Sequence, residues 1–449
     1  MFFKDSVKDS VSSVKVVNHF DEEEPTVKKL KKYDENNSPE VTFSGQNPAA
    51  SNLLPQPPSV DQCSRNNRPR PLLICSSELL AACGRLLIHP QREYMVFSLL
   101  TAYKLHELCT VLVPCAASEA ELLGFHCREY IEFIARQRTK AEWSLEELTE
   151  LESFGLVHDC PWFPGLLDYV KRVAGASLTA AKCLTASAHE QIEEADHGDR
   201  GPPVAICWTG GRHHAKEDEA SGYCYVNDIC LCLLHMMDHY DRILYVDMDV
   251  HHPDAVEAAF QSCREVLTLS FHQYESGFFP GTGSVDCVGV GAGKYFSVNV
   301  PLLAGCCDST FLKVALPVLQ GVHSKYEPQA VVLQAGADAL AGDPLGGFNL
   351  TASAYVEVVQ LILGWQCPLL VLGGGGYHEA NTARCWTLLT ATLCNVALPK
   401  AIPEHNFFES YGPNFQLDVS AVPIVDNNSS EYIETILTIL TKNIQRILS

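Results

Sequence analysis

The sequence lacks any apolar run of about eighteen residues, the length that a helix needs to cross a bilayer. It also lacks a secretory leader and any Cys-x-x-Cys pair, and its 19 cysteines are scattered through apolar segments such as NDICLCLLHM. These absences predict a chain that does not enter the membrane, that keeps its thiols reduced, and that resides in the nucleus, the cytoplasm or both.

Positive charge is also scarce. The chain has 32 Lys and Arg residues against 54 Asp and Glu residues, a net charge of −22. Such a balance argues against broad, sequence-independent binding to nucleic-acid phosphate and favours basic partners. The 449 residues are 47% apolar, which is enough material for a large core, so a globular enzyme is the default expectation.

Composition divides the chain into a tail and a body. Residues 1–68 are rich in Ser, Asn, Pro and charge, and we predict that they form a disordered tail. The short basic stretch KKLKKYDE, from Lys28, is either a weak nuclear-import signal or ordinary solvated surface. Residues 69–449 are predicted to form one catalytic domain, with an exposed acidic, Gly- and Pro-containing insertion near 189–203.

Short apolar runs alternate with amphipathic stretches throughout the body. The strand candidates are PLLIC (71–75), VAICW (204–208), ILYVD (243–247), VLTLSF (266–271), YFSVNV (295–300), AVVLQ (330–334) and PLLVLG (368–373). The helix candidates are EYMVFSLLTAYKLHELC (93–109), DYVKRVAGASLTAAKCL (168–184), NDICLCLLHMMDH (227–239), PDAVEAAF (253–260), TASAYVEVVQLIL (351–363), ANTARCWTLLTATLC (380–394) and EYIETILTILTKNIQRILS (431–449). The alternation predicts an α/β fold: one large domain with a mainly parallel sheet and helices on both faces.

The stretch LYVDMDVHHPD carries an unusual density of ionisable groups at the end of a buried strand. Asp247, Asp249 and His251 alternate with Met248 and Val250, so period-two geometry predicts that the three polar side chains share one side. Ordinary loop polarity would explain one Asp and one His. The full pattern favours a site for zinc or another divalent ion.

A catalytic zinc usually takes three protein ligands, and the third should come from a neighbouring strand end. The segment QAGADALAGDP, which follows AVVLQ, offers Asp338 and Asp343. We choose Asp338 because it lies nearer its strand, and Asp343 remains the alternative, with a capping or loop role if Asp338 is the ligand.

Two further segments follow strands at the same predicted edge. The adjacent His213 and His214 are either a surface accident or a general acid and base, with Asp247 and Asp254 available to orient them. The four glycines of VLGGGGYHEAN could cradle phosphate, but GKS or GKT is missing. The alternative is that the turn lets the phenol of Tyr377 reach a developing oxyanion.

Five motifs, in this order and spacing, resemble the zinc-dependent histone deacetylases of class I. They are HHAKEDEASGYCYVND, YVDMDVHHPDAVEAAF, GFFPGTG, GADALAGDPLGGFNLT and GGGGYHEANTARCW. The resemblance runs from about residue 70 to about residue 400. It implies the arginase/deacetylase-like fold and hydrolysis of acetyl-lysine, with histone tails and corepressor proteins as expected partners and no direct binding of nucleic acid.

The resemblance also implies roles for individual residues. The catalytic set consists of the zinc ligands Asp249, His251 and Asp338, the proton-transfer histidines His213 and His214, their carboxylate partners Asp247 and Asp254, and the carbonyl-polarising Tyr377. The substrate-binding set consists of the rim residue Asp159 and the tunnel residues Gly222, Tyr223, Phe279 and Leu345. One or two structural potassium ions would use Asp247, Asp249, His251, Ser270 and Phe271 at an inner site, and Phe260, Cys263, Val266 and Phe296 at an outer one. Arg92 matches an interior arginine near the acetate exit.

Four positions depart from the pattern of the family or vary within it. Tyr223 stands where phenylalanine is usual, Pro253 replaces a glycine, His378 replaces an asparagine, and Arg212 occupies a variable position. None removes a ligand or a proton-transfer group, so they bear on substrate range. An amidohydrolase acting on acetylated polyamines or other small amides, and a non-catalytic scaffold of a repressor complex, remain the alternatives.

Overall fold

The structure is a computed structural model that describes residues 69–136, 143–193 and 201–447. The tail predicted for residues 1–68 and residues 194–200 of the predicted insertion lie outside the described residues. None of the helices in these ranges is long and apolar enough to span a bilayer.

The body is built on one parallel sheet, in which the described residues contribute eight strands. They are β1 Leu72–Ile74, β2 Thr110–Leu112, β3 Val204–Cys207, β4 Ile243–Asp247, β5 Val266–Gln273, β6 Ser297–Leu302, β7 Ala330–Gln334 and β8 Leu369–Leu372. Their order across the sheet is β2-β1-β3-β8-β7-β4-β5-β6, and all neighbours are parallel. The predicted α/β fold is confirmed, and all seven predicted strands are present.

The same ranges contain twelve α-helices. They are α1 Ser77–Cys83, α2 Arg92–Ala102, α3 Glu119–Leu122, α4 Arg128–Ala135, α5 Leu145–Ser153, α6 Leu166–Glu193, α7 Asp228–Met237, α8 Asp254–Phe260, α9 Asp308–Tyr326, α10 Ala352–Gly364, α11 Glu379–Leu393 and α12 Ser430–Ile444. The C-terminal helix α12 buries one apolar face against the body. This packing agrees with its amphipathic pattern.

Alternate residues of the central strands enter two separate hydrophobic cores. In β4, Leu244 and Val246 belong to one core, whereas Ile243 and Tyr245 belong to the other. Every residue of β4 and β7 is buried, because helices cover both faces of the sheet. This explains why the strands are continuous apolar runs that end abruptly in polar residues.

The register brings those polar ends together. Asp247 at the end of β4 lies opposite Gln334 of β7 and Ser270 of β5. Gln334 in turn lies opposite Leu372, the last residue of β8. The loops that leave these parallel strands therefore open at one edge of the sheet, where ligands bind in folds of this type.

Two predicted elements differ from the structure. The helix predicted to reach Cys109 ends at Ala102, because Lys104 has a left-handed backbone conformation with φ of 58°. A short 3-10 helix and the edge strand β2 follow, and a strand of three residues, none of them buried, has too little pattern to be predicted. Helix α6 extends to Glu193, so the predicted insertion near 189–203 begins within a helix.

Candidate active site

Three predicted metal ligands converge at the carboxyl edge of the sheet. Asp249 and His251 lie in the loop after β4, and Asp338 lies in the loop after β7. One donor atom from each lies within 4.8 Å of the others, and all three residues are buried. Nδ1 of His251 is 3.1 Å from Oδ1 of Asp249 and 3.0 Å from Oδ2 of Asp338. The alternating pattern and the neighbouring strand end thus predicted residues that do lie together.

Backbone and amide donors hold the two carboxylates in place. Oδ2 of Asp249 accepts hydrogen bonds from Nε2 of Gln334 and from the backbone N–H of Gly375. Oδ1 of Asp338 accepts from the backbone N–H of Val250 at 2.9 Å. The sequence analysis missed Gln334. The sequence places a glutamine at the carboxyl end of the apolar run AVVLQ, but the pattern does not reveal its partner Asp249.

The cluster fits a divalent cation. Burial and the charge of Asp249 raise the pKa of Asp338, because two buried carboxylates at short range need a positive partner. A Cβ atom on Gly375 would approach Oδ2 of Asp338 to 2.1 Å, so this glycine leaves the room that the carboxylates occupy. Two carboxylate oxygens and one imidazole nitrogen form a donor set that suits zinc.

Asp343, the alternative third ligand, has a different place. Its Oδ2 accepts from the backbone N–H groups of Tyr377 and His378, at 2.7 and 3.1 Å. Its Oδ1 accepts from the backbone N–H of Leu345 at 2.9 Å. Among the described residues it is not part of the clustered donor set. It therefore positions the turn that carries Tyr377.

The two adjacent histidines each pair with a separate carboxylate. Nδ1 of His213 is 2.8 Å from Oδ2 of Asp247, and Nδ1 of His214 is 2.8 Å from Oδ1 of Asp254. Burial favours a neutral His213, but Asp247 and Asp249 outweigh burial and raise its pKa to about 9. Burial and the nearby His213 lower the pKa of His214 to about 4. The predicted pairing is present, and it leaves Nε2 of His214 for the substrate side.

Tyr377 follows a glycine turn that Arg92 and Asp343 hold by hydrogen bonds. Gly374 and Gly376 have φ values of 151° and 134°, which are accessible to glycine and strained for other residues. Nη1 of Arg92 donates to the carbonyl oxygens of both glycines, at 3.0 and 3.2 Å. Burial raises the pKa of Tyr377 well above its usual value. Its phenol is therefore neutral and able to donate a hydrogen bond.

A cavity of about 360 Å³ leads to these groups, and we call it the tunnel. It is lined by Asp159, Gly222, Tyr223, Phe279 and Leu345, the five predicted substrate-binding residues, and by Phe278, Gly277, His214, His251 and Tyr377. A Cβ atom on Gly222 would come within 2.4 Å of the ring of His214, so glycine lets the wall approach the histidine. Oδ2 of Asp159 accepts from the backbone N–H of Gly222 at 2.6 Å.

The predicted potassium-site residues lie in two groups. The first group lies where β4 ends beside the middle of β5, and it consists of Asp247, Asp249, His251, Ser270 and Phe271. Phe260, Cys263, Val266 and Phe296 lie where α8 ends, β5 begins and β6 is about to begin. The structure does not test ion binding at either group, which stays a prediction.

Behind the glycine turn lies a set of buried charges, His89, Arg92, Glu93 and Arg212, which we call the inner charge cluster. Glu93 accepts from Arg92 at 2.8 Å and lies 3.6 Å from Arg212. Burial and Arg92 lower the pKa of His89 to about 4, so the cluster holds two cations, one anion and a neutral imidazole. The ring of His89 lies 6.2 Å from that of Tyr377. Glu93 and His89 carried no signal in the sequence.

Comparisons with known proteins agree with this geometry. Residues 87–393 match the sequence model of a family described as histone deacetylase domain. The chain is 42% identical to histone deacetylase 8 of Xenopus tropicalis over 379 residues, which cover 84% of this chain and 98% of that protein. It is 41% identical to histone deacetylase 8 of Danio rerio, covering 84% and 95% of the two chains. It is 38% identical to human histone deacetylase 1, covering 80% and 71%.

Proposed function

The chain belongs to the histone deacetylase family, and from that premise we propose that it hydrolyses the acetyl amide of acetyl-lysine in proteins and peptides. One observation carries the proposal. His251, His214 and Tyr377 line one tunnel, at which the donor cluster and the histidine pair meet. An unbranched acyl-lysine side chain suits such a tunnel, because its neutral stem packs on aromatic walls.

Asp249, His251 and Asp338 would hold the catalytic ion, zinc in this family, which supplies a Lewis acid for the acyl carbonyl and for a water molecule. Gln334 and the backbone N–H of Gly375 orient Asp249, and the backbone N–H of Val250 orients Asp338. Such supporting hydrogen bonds fix ligand geometry.

His214 is the residue that we assign as the general base. Its Nδ1 is engaged with Asp254, so Nε2 carries the lone pair that faces the tunnel. Nε2 accepts the proton of the attacking water and then delivers it to the departing lysine amine. His213, whose Nδ1 pairs with Oδ2 of Asp247, is the second histidine of the proton-transfer pair.

Tyr377 stabilises the oxyanion. Its neutral phenol donates a hydrogen bond to the carbonyl oxygen, and that bond strengthens as negative charge develops. Arg92 holds the glycines that precede Tyr377, and Asp343 accepts from the backbone N–H of Tyr377 itself. The phenol is therefore positioned before substrate arrives. Asp159 at the rim accepts hydrogen bonds from the peptide backbone of the substrate.

Charge supports the choice of partners. A net charge of −22 favours basic segments such as histone tails. We also propose that potassium binds at the inner group beside the end of β4 and at the outer group near Phe260 and Phe296. Corepressor proteins would contact the outer surface. We propose that the protein resides in the nucleus, the cytoplasm or both.

The test is turnover of acetyl-lysine peptides and of acetylated polyamines by one preparation whose metal content is measured by elemental analysis. We expect peptide hydrolysis with one divalent ion per chain. Preferential turnover of the polyamine would instead make the chain a small-amide hydrolase. A metal-loaded, folded protein that hydrolyses neither substrate would overturn the proposal and favour a scaffold.

A further inference from the structure

The segment that carries the histidine pair has no regular secondary structure. It consists of residues 211–215, which follow β3 and are all buried, and we call it the histidine loop. Bonds to Asp247 and Asp254 orient the rings of His213 and His214, but they do not fix the backbone from which the rings extend. Buried backbone N–H and C=O groups need partners. The groups that bond the histidine loop therefore decide where both rings lie.

Asp228, the first residue of α7, bonds the start of the histidine loop. It is buried, and its Oδ2 accepts from the backbone N–H of Gly211 at 2.9 Å, whereas its Oδ1 accepts from that of Arg212 at 2.8 Å. Ser177 of α6 also donates its hydroxyl to Oδ2. Burial raises the pKa of Asp228, and these three hydrogen bonds oppose that rise. The carboxylate thus holds the two residues that precede the histidines.

Asn227, which precedes Asp228 in the chain, bonds the other end of the histidine loop. Its Nδ2 donates to the carbonyl oxygen of Ala215 at 2.9 Å, directly after the pair. Its Oδ1 accepts from the backbone N–H of Cys230 and so caps α7. Because Asn227 supplies the cap, both oxygens of Asp228 are bonded outside α7. We call Asn227 and Asp228 the α7 clamp.

Two glycines allow the loop to lie against the α7 clamp. A Cβ atom on Gly210 would overlap Oγ of Ser177 and Oδ2 of Asp228. Gly211 has a φ of 94°, in the left-handed region that favours glycine. The backbone before the histidines is therefore shaped to meet the carboxylate of Asp228.

We propose that the α7 clamp positions the histidine pair for proton transfer by fixing the backbone on both sides of it. The inference rests on the proposed function, in which Nε2 of His214 takes a proton from water and gives it to the leaving amine. Such transfers need heavy atoms about 2.6–3.2 Å apart, and a misplacement of about 1 Å can cost about 10²-fold in rate. The two rings lie 4.0 Å apart, so one shift of the loop displaces both. Neither residue of the clamp lines the tunnel, so both are positioning residues.

The experiment uses the full chain and two substitutions that keep the size of the side chain. Asp228→Asn replaces one carboxylate oxygen by an amide, so one of the two loop N–H groups loses its acceptor. Asn227→Asp keeps the cap of α7, because Asp caps helices as well as Asn does, but it cannot donate to Ala215. kcat and KM on an acetyl-lysine peptide, metal content by elemental analysis and urea unfolding are measured for each.

Asp308→Asn is the matched control. Asp308 is also the first residue of a helix, α9, and it accepts from the backbone N–H and the hydroxyl of Thr351 at 2.7 and 2.6 Å. The control therefore removes the same kind of hydrogen bond from a residue that does not bond the histidine loop. Asp308 also lies outside the tunnel lining.

We expect Asp228→Asn to lower kcat by about tenfold to a hundredfold, because correct placement of a general base is needed mainly in the transition state. Asn227→Asp should lower kcat by about tenfold for the same reason. In both variants KM should stay within about twofold of wild type, and metal content should not change. Asp308→Asn should lose stability in urea but keep kcat within about twofold, since a structural role alone does not alter turnover by the folded protein.

Wild-type kcat in folded Asp228→Asn and Asn227→Asp would overturn the inference while leaving the proposed function intact. An equal loss of kcat in Asp308→Asn would also overturn it, because the loss would then follow from general destabilisation. If the clamp variants do not fold, Ser177→Ala decides, since it removes only one hydroxyl bond to Asp228 and should lower kcat by about threefold. An unchanged kcat in Ser177→Ala would then count against the clamp. Absence of peptide turnover by wild-type protein would instead contradict the proposed function.

Discussion

The tunnel and the inner charge cluster both contact the turn that carries Tyr377, yet they are built from opposite materials. The tunnel wall is aromatic and partly exposed. A hydrogen bond joins Asp159 at its rim to Gly222 in its wall. The inner charge cluster is buried throughout. The tunnel accepts a neutral side chain, whereas the inner charge cluster holds the backbone of the Tyr377 turn through Arg92.

The difference shows how the molecule tolerates buried charge next to a catalytic residue. Burial disfavours the charge of Glu93, but Arg92 holds the pKa of this carboxyl well below its usual range. Burial alone would lower the pKa of Arg212, and nearby Tyr169 and Glu93 raise it instead. Each ion depends on its neighbours, because an unpaired buried charge is strongly destabilising. The tunnel has no such dependence along its aromatic wall.

The largest effect should follow a change in the donor cluster that contributes His251 to the tunnel. Asp338→Ala removes one of three clustered donors, so we expect loss of the divalent ion and of essentially all peptide hydrolysis. Asp343→Asn is the matched control, because it keeps the donor set and alters only the Tyr377 turn. Elemental analysis of both folded variants is the measurement. Full metal content in Asp338→Ala would show that the third ligand lies elsewhere.

The next effect concerns the phenol that meets the tunnel. Tyr377→Phe removes a donor used mainly in the transition state, so kcat should fall by about 10²–10³. Metal content and binding of a hydroxamate should change little, because Tyr377 is not in the donor cluster. A melting curve separates this loss from collapse of the glycine turn. Near wild-type turnover by a folded, metal-loaded variant would remove Tyr377 from the mechanism.

A change in the inner charge cluster should act on stability instead. Arg212→Leu leaves Glu93 with Arg92 as its guanidinium partner, and we expect unfolding to become easier by about 2 kcal/mol. Lys400→Leu is the control, because the Lys400–Asp418 pair is exposed and such pairs contribute at most about 1 kcal/mol. Urea unfolding of both variants gives the comparison.

A second variant isolates the pairing within the cluster. Adding Glu93→Gln to Arg212→Leu removes the carboxylate that has lost one of its two guanidinium partners. The loss of unfolding free energy in the double variant should therefore be smaller than the sum of the losses in the two single variants. Strict additivity would show that Arg212 and Glu93 are energetically independent despite lying 3.6 Å apart.

The same two regions show what sequence could predict. Asp249 and His251 were found from local alternation at a strand end, and Asp338 from the rule that parallel strands end at one edge. Gln334 acts through side-chain contacts to a neighbouring loop, and Glu93 meets Arg212 from a distant segment. Nothing in the local pattern encodes such pairs. Likewise, the left-handed Lys104 that ends α2 breaks a helix that its apolar periodicity would have continued.

The smallest effect should come from the aromatic wall of the tunnel. Tyr223→Phe removes one hydroxyl from a half-buried side chain of the tunnel wall, so the ratio of rates on acetyl and longer acyl peptides should change by less than about threefold. The direction should favour the longer chain, because a less polar wall costs less to desolvate. The residues that flank the acyl-lysine are kept as Ala, so that the peptides differ only in the acyl chain. Tyr274→Phe, at a tyrosine that is 36% exposed and outside the tunnel lining, is the control. An unchanged ratio across the panel would mean that the hydroxyl of Tyr223 points away from the tunnel, and that its ring alone forms the wall.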